Sequence, residues 1–470
     1  MTTLVARLTD IQARLDALAR QHGVPGATLA VGIGDELLDF ATGVVNARTG
    51  VEATTDSIFQ IGSNTKLFTT TLVMQLVDEG KIDLDKPVRR YLPSFQLADD
   101  TAAREITTRQ LLTHTSGIQG DYFQGFGTGD GAIERYVDSL RDVDLVHRPG
   151  QLWSYCNTGF VVAGRIAEKL SDAPYHELLQ DKICRPLGLK RTTVEVEEMV
   201  AHRCAVGHVV NPQGRPVVPP TVVMEAAAIP AGSRTTSTAA ELVRFVQMHL
   251  HGGVSGSGGR ILSEAAVAQM QQVQATMPPV AATPRTQGIG WLMDEWSGKA
   301  VIGHGGGTIG QLSFLHALPA DDLVVALLTN ATTGGLLWRD LGTWLFQELA
   351  GVEIPRPLKP PVIPPELPLE RYAGTYDRLG VREIVTVDDG CLLVETELSG
   401  ALAELRDSDH APPLRLYPID RERFAGRLEG QDFVVAFLEF ERGRPGFLFS
   451  GRAARRVTGR SRPKAASSSR

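Results

Sequence analysis

The sequence predicts an α/β domain followed by a small antiparallel β domain, and three observations carry that expectation. Strand-like runs stand at both ends of the first 350 or so residues, with helical patterns between them. Seven prolines crowd residues 354–368. Beyond them the pattern changes to short alternating runs parted by turn residues. The chain has 470 residues, 43% hydrophobic and 21% charged, so it can bury a sizeable core and is not disordered overall. A formal net charge of −7 argues against a dedicated nucleic-acid binder. No apolar run approaches the roughly 18–20 residues of a membrane span. The 4 cysteines, Cys156, Cys184, Cys204 and Cys391, lack CxxC spacing, which excludes a disulfide framework and a zinc ribbon.

At the N-terminus, Leu4, Leu8, Ile11, Leu15 and Leu18 recur at three- and four-residue steps with charges between them. That is an amphipathic helix packed on a globular body, where an export signal would need an unbroken apolar stretch. A cytosolic protein is therefore expected. Ala27–Gly32 and Leu37–Thr42 read as strands around the turn Gly34–Asp35. Residues 63–79 read as a helix, and residues 80–250 mix helices with loops marked by glycine and proline. Ser237 or Thr238 should cap the helix that follows. Gln311–Leu318 and Leu323–Thr329 read as paired strands around Pro319–Asp322, and residues 336–350 as a closing helix. The sheet is thus completed by both ends of one domain, 1–353.

The prolines at 355, 357, 360, 361, 364, 365 and 368 make 354–368 a stiff, extended linker. From 369 to 457 the runs Glu383–Val387, Leu392–Glu397, Leu414–Pro418, Asp432–Phe440 and Gly446–Phe449 predict a small antiparallel barrel. The last 20 residues carry seven Arg or Lys and no acid, which reads as a ragged basic terminus, with 458–470 disordered.

Three motifs carry chemistry. In Ser63-Asn64-Thr65-Lys66 the lysine lies one helical turn from the serine, on the same face. A hydroxyl is a poor nucleophile until a base takes its proton, and a lysine serves only if its surroundings lower its pKa. The same pattern at Ser461–Lys464 in the tail is read as inert. In Tyr155-Cys156-Asn157, a phenol near a lysine can shuttle a proton, and the amide can hold both Lys66 and a substrate carbonyl. In His304-Gly305-Gly306-Gly307, glycines on an edge strand let a substrate backbone approach and leave an N–H for an oxyanion, while His304 adds a donor. The similar His251-Gly252-Gly253 follows a helical run and is read as its structural end.

In order and spacing these motifs resemble the serine β-lactamase and penicillin-binding-protein superfamily, in its class C β-lactamase-like branch. Gly80–Asp85, Leu111–Gly117 and Pro186–Leu189 are also similar to that family. The segment from Tyr372–Tyr376 to Gly451-Arg452 resembles the lipocalin-like domain appended to many members. The resemblance implies a β-lactamase/transpeptidase-like domain, an antiparallel sheet flanked by helices plus an all-helical subregion. Ser63 would be the nucleophile, Lys66 its general base, Tyr155 the proton relay and Asn157 a positioning group. His304 would take the third-motif place, and the N–H groups of Ser63 and Gly307 would form the oxyanion hole. Gly305, Gly306, Trp153 and Arg452 are candidate substrate contacts, with a plain surface arginine the alternative for Arg452. His114 falls in a stretch that is a structural turn in the family, and Cys156 stands where serine is commoner. Neither metal nor cofactor is expected.

Histidine in place of the family's third-motif lysine weakens the case for penicillin or peptidoglycan substrates. The nearest resemblance is to penicillin-binding-protein-type thioesterases of nonribosomal peptide assembly, which release a peptidyl thioester as a head-to-tail macrocycle. The alternatives are a cytosolic esterase or D-aminopeptidase, then a β-lactamase or DD-peptidase. The expected partner is a peptidyl or small acyl substrate, delivered in the thioesterase case on the phosphopantetheine arm of a carrier protein. The glycine-rich Phe123–Gly131 is a candidate mobile wall.

Overall fold

The run Leu323–Thr329 is buried at every position, so it needs cover on both faces. In the computed structural model, which describes residues 8–211, 213–406, 408–428 and 431–457, it lies inside a nine-stranded antiparallel sheet. Gly26–Ile33 pairs with it on one side and Gln311–Leu318 on the other, so both ends of the domain do complete the sheet. Successive side chains of a strand point to opposite faces. Leu323, Val325 and Leu327 accordingly pack with Ile11, Leu15, Leu341 and Leu345 of the helices Leu8–Gln21 and Gly334–Ala350. Val324, Ala326 and Leu328 belong to the opposite core, with Val243 and Val246 of the helix Ala239–Leu250. Each of these Val, Leu and Ile side chains contributes about 1.5–3 kcal/mol when fully buried. Thr238 is the cap of that last helix, accepting from the Glu241 N–H at 3.1 Å, and His251-Gly252-Gly253 follows the helix end as expected.

The helical subregion packs around Thr65–Asp78, which a single 3₁₀ turn, Gly62–Asn64, leads into, and around Asn157–Ser171. The two helices bury Leu67, Phe68, Phe160 and Val161 in one core. No helix among the described residues is long and apolar enough to cross a membrane.

No helix or strand is present between Ala350 and Leu369. The second domain is a closed barrel of eight antiparallel strands, from Gly374–Arg378 to Ala453–Val457, which pair with each other to close it. Three of its strands are absent from the sequence reading: Gly374–Arg378, Arg423–Leu428 and Ala453–Val457. The last corrects the ragged terminus, because Ala453 and Ala454 are buried and the backbone up to Val457 is paired. Residues 458–470, with the Ser461–Lys464 pattern, lie outside the described residues. Tyr372, Tyr376, Phe424 and Phe437 fill the barrel interior.

The barrel packs against the catalytic domain. Trp153 meets Phe449 edge-on at 6.0 Å, with Val146, Phe447 and Ala453 around them. Backbone N–H groups hydrogen-bond across the seam, Tyr155 N–H to Gly451 O at 3.3 Å, Ala453 N–H to Ser154 Oγ at 3.0 Å and Leu379 N–H to Gln119 Oε1 at 3.0 Å, in addition to side-chain contacts. One hairpin turn of the barrel, at Gly451, therefore abuts the Tyr155 motif, and another, at Leu379, abuts the loop at Gln119.

Candidate active site

Ser63 sits in the turn before its helix, and the turn is locked from the sheet. Ser313 Oγ accepts from Asn64 Nδ2 and donates to Ile61 O, both at 2.7 Å. Gln311 Oε1 accepts the Gln60 N–H at 3.0 Å. Gly62 adopts φ +51, and a Cβ there would fall 2.5 Å from Gly307 N. A Cβ on Gly306 would fall 1.9 Å from Ile61 O. Only glycines let these two backbones approach so closely. The approach sets Gly307 beside the Ser63 turn, as the expected oxyanion hole requires. The Cβ direction of Gly306 faces Ile61 and Ser313, so its lack of a side chain is what lets the Ser63 turn pack there. Gly305 is exposed. The strand Lys299–Thr308 is an edge only over its second half, since Lys299–Gly303 pairs with Leu292–Trp296.

Lys66 is fully buried. Its Nζ lies 2.7 Å from Asn157 Oδ1, 2.6 Å from Ala231 O and 3.1 Å from Ser63 Oγ. Burial first, and then the charge of Arg452, push its pKa well below the usual lysine value, while Asp121 pulls the other way. A neutral amine has two N–H groups and one lone pair. Asn157 Oδ1 and Ala231 O can only accept, so they take the two N–H groups, and the lone pair is left for the hydroxyl proton of Ser63. That is the geometry of a general base.

Tyr155 bears on the same group, with Nζ 4.9 Å from its ring centre. Burial pushes the phenol up, against a hydrogen bond with Ser63 that pulls it down. A phenol beside a lysine is expected to shuttle a proton, and here burial favours its protonated form. Tyr155 keeps its proton, which suits a donor to the leaving group. His304 is corrected. Its Nδ1 lies 2.6 Å from Gly305 O, which can only accept, so Nε2 is an acceptor and not the expected donor. Burial, then the Lys66 charge, hold its pKa down at about 3. Its ring lies 6.1 Å from that of Tyr155.

Trp153 is buried at the seam, and its N–H donates to Gln287 Oε1 at 3.1 Å, so it is an interdomain packing residue and not a substrate contact. His114 stacks on Tyr155 at 4.3 Å and accepts the Cys156 N–H at 2.9 Å, in the structural part expected of it. Cys156 caps the helix Asn157–Ser171, accepting from Gly159 N–H, and burial pushes its thiol up to about 11. Phe123–Gly131 is held by Arg135, which donates to the carbonyls of Phe126 and Thr128 at 2.8 and 3.0 Å.

The sequence reading missed Asp121, Arg378 and Glu383. Asp121 is buried beside Asn157 and accepts from its Nδ2 at 3.0 Å. Two barrel arginines converge on the same carboxylate. Arg452 places Nη2 2.9 Å from Oδ1 and Nε 2.6 Å from Oδ2, and Arg378 places Nη1 3.2 Å from Oδ2. Arg452 also lies 5.0 Å from the centre of the Tyr155 ring, so it does reach the cleft. Glu383 is buried close to Arg378 and Ser450, and burial raises its carboxyl to about 7. Among the described residues no cluster of His, Cys, Asp and Glu could hold a metal ion.

A beta-lactamase family model matches residues 11–345. The chain belongs to the beta-lactamase family. It is 41% identical over 374 residues to penicillin-binding protein 4 of Amycolatopsis lactamdurans, covering 78% of this chain and 97% of that protein. Among solved structures, SurE matches with a TM-score of 0.78 and 25% identity, over 97% of this chain and all of that one, and SurE with D-Leu matches at 0.77. The D-amino acid amidase of Ochrobactrum anthropi SV3, complexed with D-phenylalanine, matches with a TM-score of 0.57 and 27% identity, over 69% and 91% of the two chains. This beta-lactamase-family chain is thus a serine hydrolase by family, with a barrel appended.

Proposed function

We propose that this chain is a thioesterase of nonribosomal peptide assembly, which transfers a peptidyl group from a thioester to Ser63 and releases it as a head-to-tail macrocycle. Ser63 Oγ attacks the thioester carbonyl while Lys66 takes its proton, and the C–S bond breaks as the thiol leaves with a proton passed through Tyr155. The peptide's own amine then attacks the ester carbonyl, the C–O bond breaks, and Ser63 recovers a proton. Gly307 and Ser63 N–H groups serve the oxyanion in both halves.

The observation that carries this reading is the barrel hairpin over Tyr155, with Arg452 5.0 Å from its ring. A second domain at the mouth of the cleft helps keep water from the acyl-enzyme, which cyclisation needs and plain hydrolysis does not. The likeness to SurE over both domains, including its structure with D-Leu, supports a donor ending in a D-residue. On this reading the substrate arrives on a carrier protein's phosphopantetheine arm, in the cytosol. The likeness to a D-amino acid amidase favours a second reading, hydrolysis of a small D-residue amide or ester. Histidine at position 304 ranks a β-lactamase or DD-peptidase behind both.

The test is to offer a peptidyl thioester with a C-terminal D-residue and weigh the product. A mass one water below the free acid is expected. The acid alone would select the hydrolytic reading, and turnover of simple esters only would end the thioesterase one. Ser63→Ala should abolish turnover and acyl labelling.

A further inference from the structure

Asn157 can face Lys66 in two ways. With its oxygen toward Nζ it takes an N–H and leaves the lone pair for Ser63. With its amide flipped, an N–H would compete with Ser63 for that lone pair. Something must therefore fix the amide, and the neighbour on its far side is Asp121, whose carboxylate can only accept. We propose that Asp121 is a positioning residue that orients Asn157, aims the Lys66 lone pair at Ser63, and is itself held by Arg378 and Arg452 of the barrel. The arginines come from two different hairpins, so Asp121 stays seated only while the barrel is docked. Asp121 does not touch Lys66 by any hydrogen bond. Its action runs through the amide. This inference rests on the serine acyl-enzyme reading of the site but not on the identity of the acyl group.

The test uses the full chain and a small activated aryl ester, with Ser63 acylation followed against pH. Asp121→Asn should slow the plateau by at least about tenfold, a part of the 10²–10⁴ that general-base help supplies. Its acid limb should move to lower pH, because a charge favouring the Lys66 ammonium is gone; Arg452, Cys156, His114, His304 and Tyr155 are the other groups facing that amine. The variant Asp121→Asn/Asn157→Ala should be no slower than Asn157→Ala alone, since the two act as a unit. Arg378→Gln, which leaves the carboxylate in place, should give a smaller loss in the same direction and serves if Asp121→Asn folds poorly. Losses that multiply in the double variant, or an unslowed Asp121→Asn, overturn the proposal alone. A wild type that forms no acyl-serine overturns the underlying reading together with it.

Discussion

Lys66 is a base because of what surrounds it. The free amine persists only where the ammonium is disfavoured, and here burial and Arg452 both disfavour it. Acylation should therefore rise with pH through a limb well below the usual lysine range, as the ammonium loses its proton. Arg452→Gln removes a cation and leaves Asp121 less compensated, and both changes favour the ammonium. The limb should move to higher pH, opposite to the shift expected for Asp121→Asn, in a pH profile of acyl-enzyme formation. A limb that stays put would mean the arginine is electrically irrelevant to the base. Ser63, Lys66, Tyr155, Asn157 and His304 were legible because each stands in a short motif of reactive types. Asp121 was not, because it stands in no such motif: its arginine partners are 257 and 331 positions away, and only the fold joins them.

Among the elements, those with clean periodicity were readable almost to the residue. Gln311–Leu318 and Leu323–Thr329 were predicted with their observed ends. The barrel strand Arg423–Leu428 was missed because two arginines and a glycine blur its alternation, and Ala453–Val457 because its charge reads as a tail. The glycines of the third motif were recognised, but their division of labour was not. Gly306 is small because the turn holding Ser63 presses against it. Gly306→Ala should push Ile61 and the nucleophile out of place, and a displacement near 1 Å costs about 10²-fold in rate. Acylation of Ser63 should fall by that order. Gly305→Ala, at an exposed position where a Cβ would meet only Ser313 O at an easy 3.9 Å, should cost far less. Equal losses in a burst assay would show that the motif's small residues serve the cleft alone.

For the whole molecule the question is whether the barrel is cargo or machinery. Its docking rests on an aromatic seam, with Phe449 fully buried against Trp153, and on the charged contacts at Asp121. Phe449→Ala removes a large buried ring at the seam, a change that typically costs about 3–5 kcal/mol. Most of that loss falls on the contact between domains, because Phe449 clusters with Trp153 and Val146 and not with the residues filling the barrel interior. The barrel should then leave the catalytic domain more often, exposing the buried seam around Trp153 and Phe447 to limited chymotryptic proteolysis. Withdrawal takes Arg378 and Arg452 from Asp121 together, so acylation of Ser63 should fall in step with the fraction undocked. A chain that is cleaved readily at the seam yet acylates at the original rate would make the barrel a passenger. Parallel loss would mean that the base in one domain is assembled by the other.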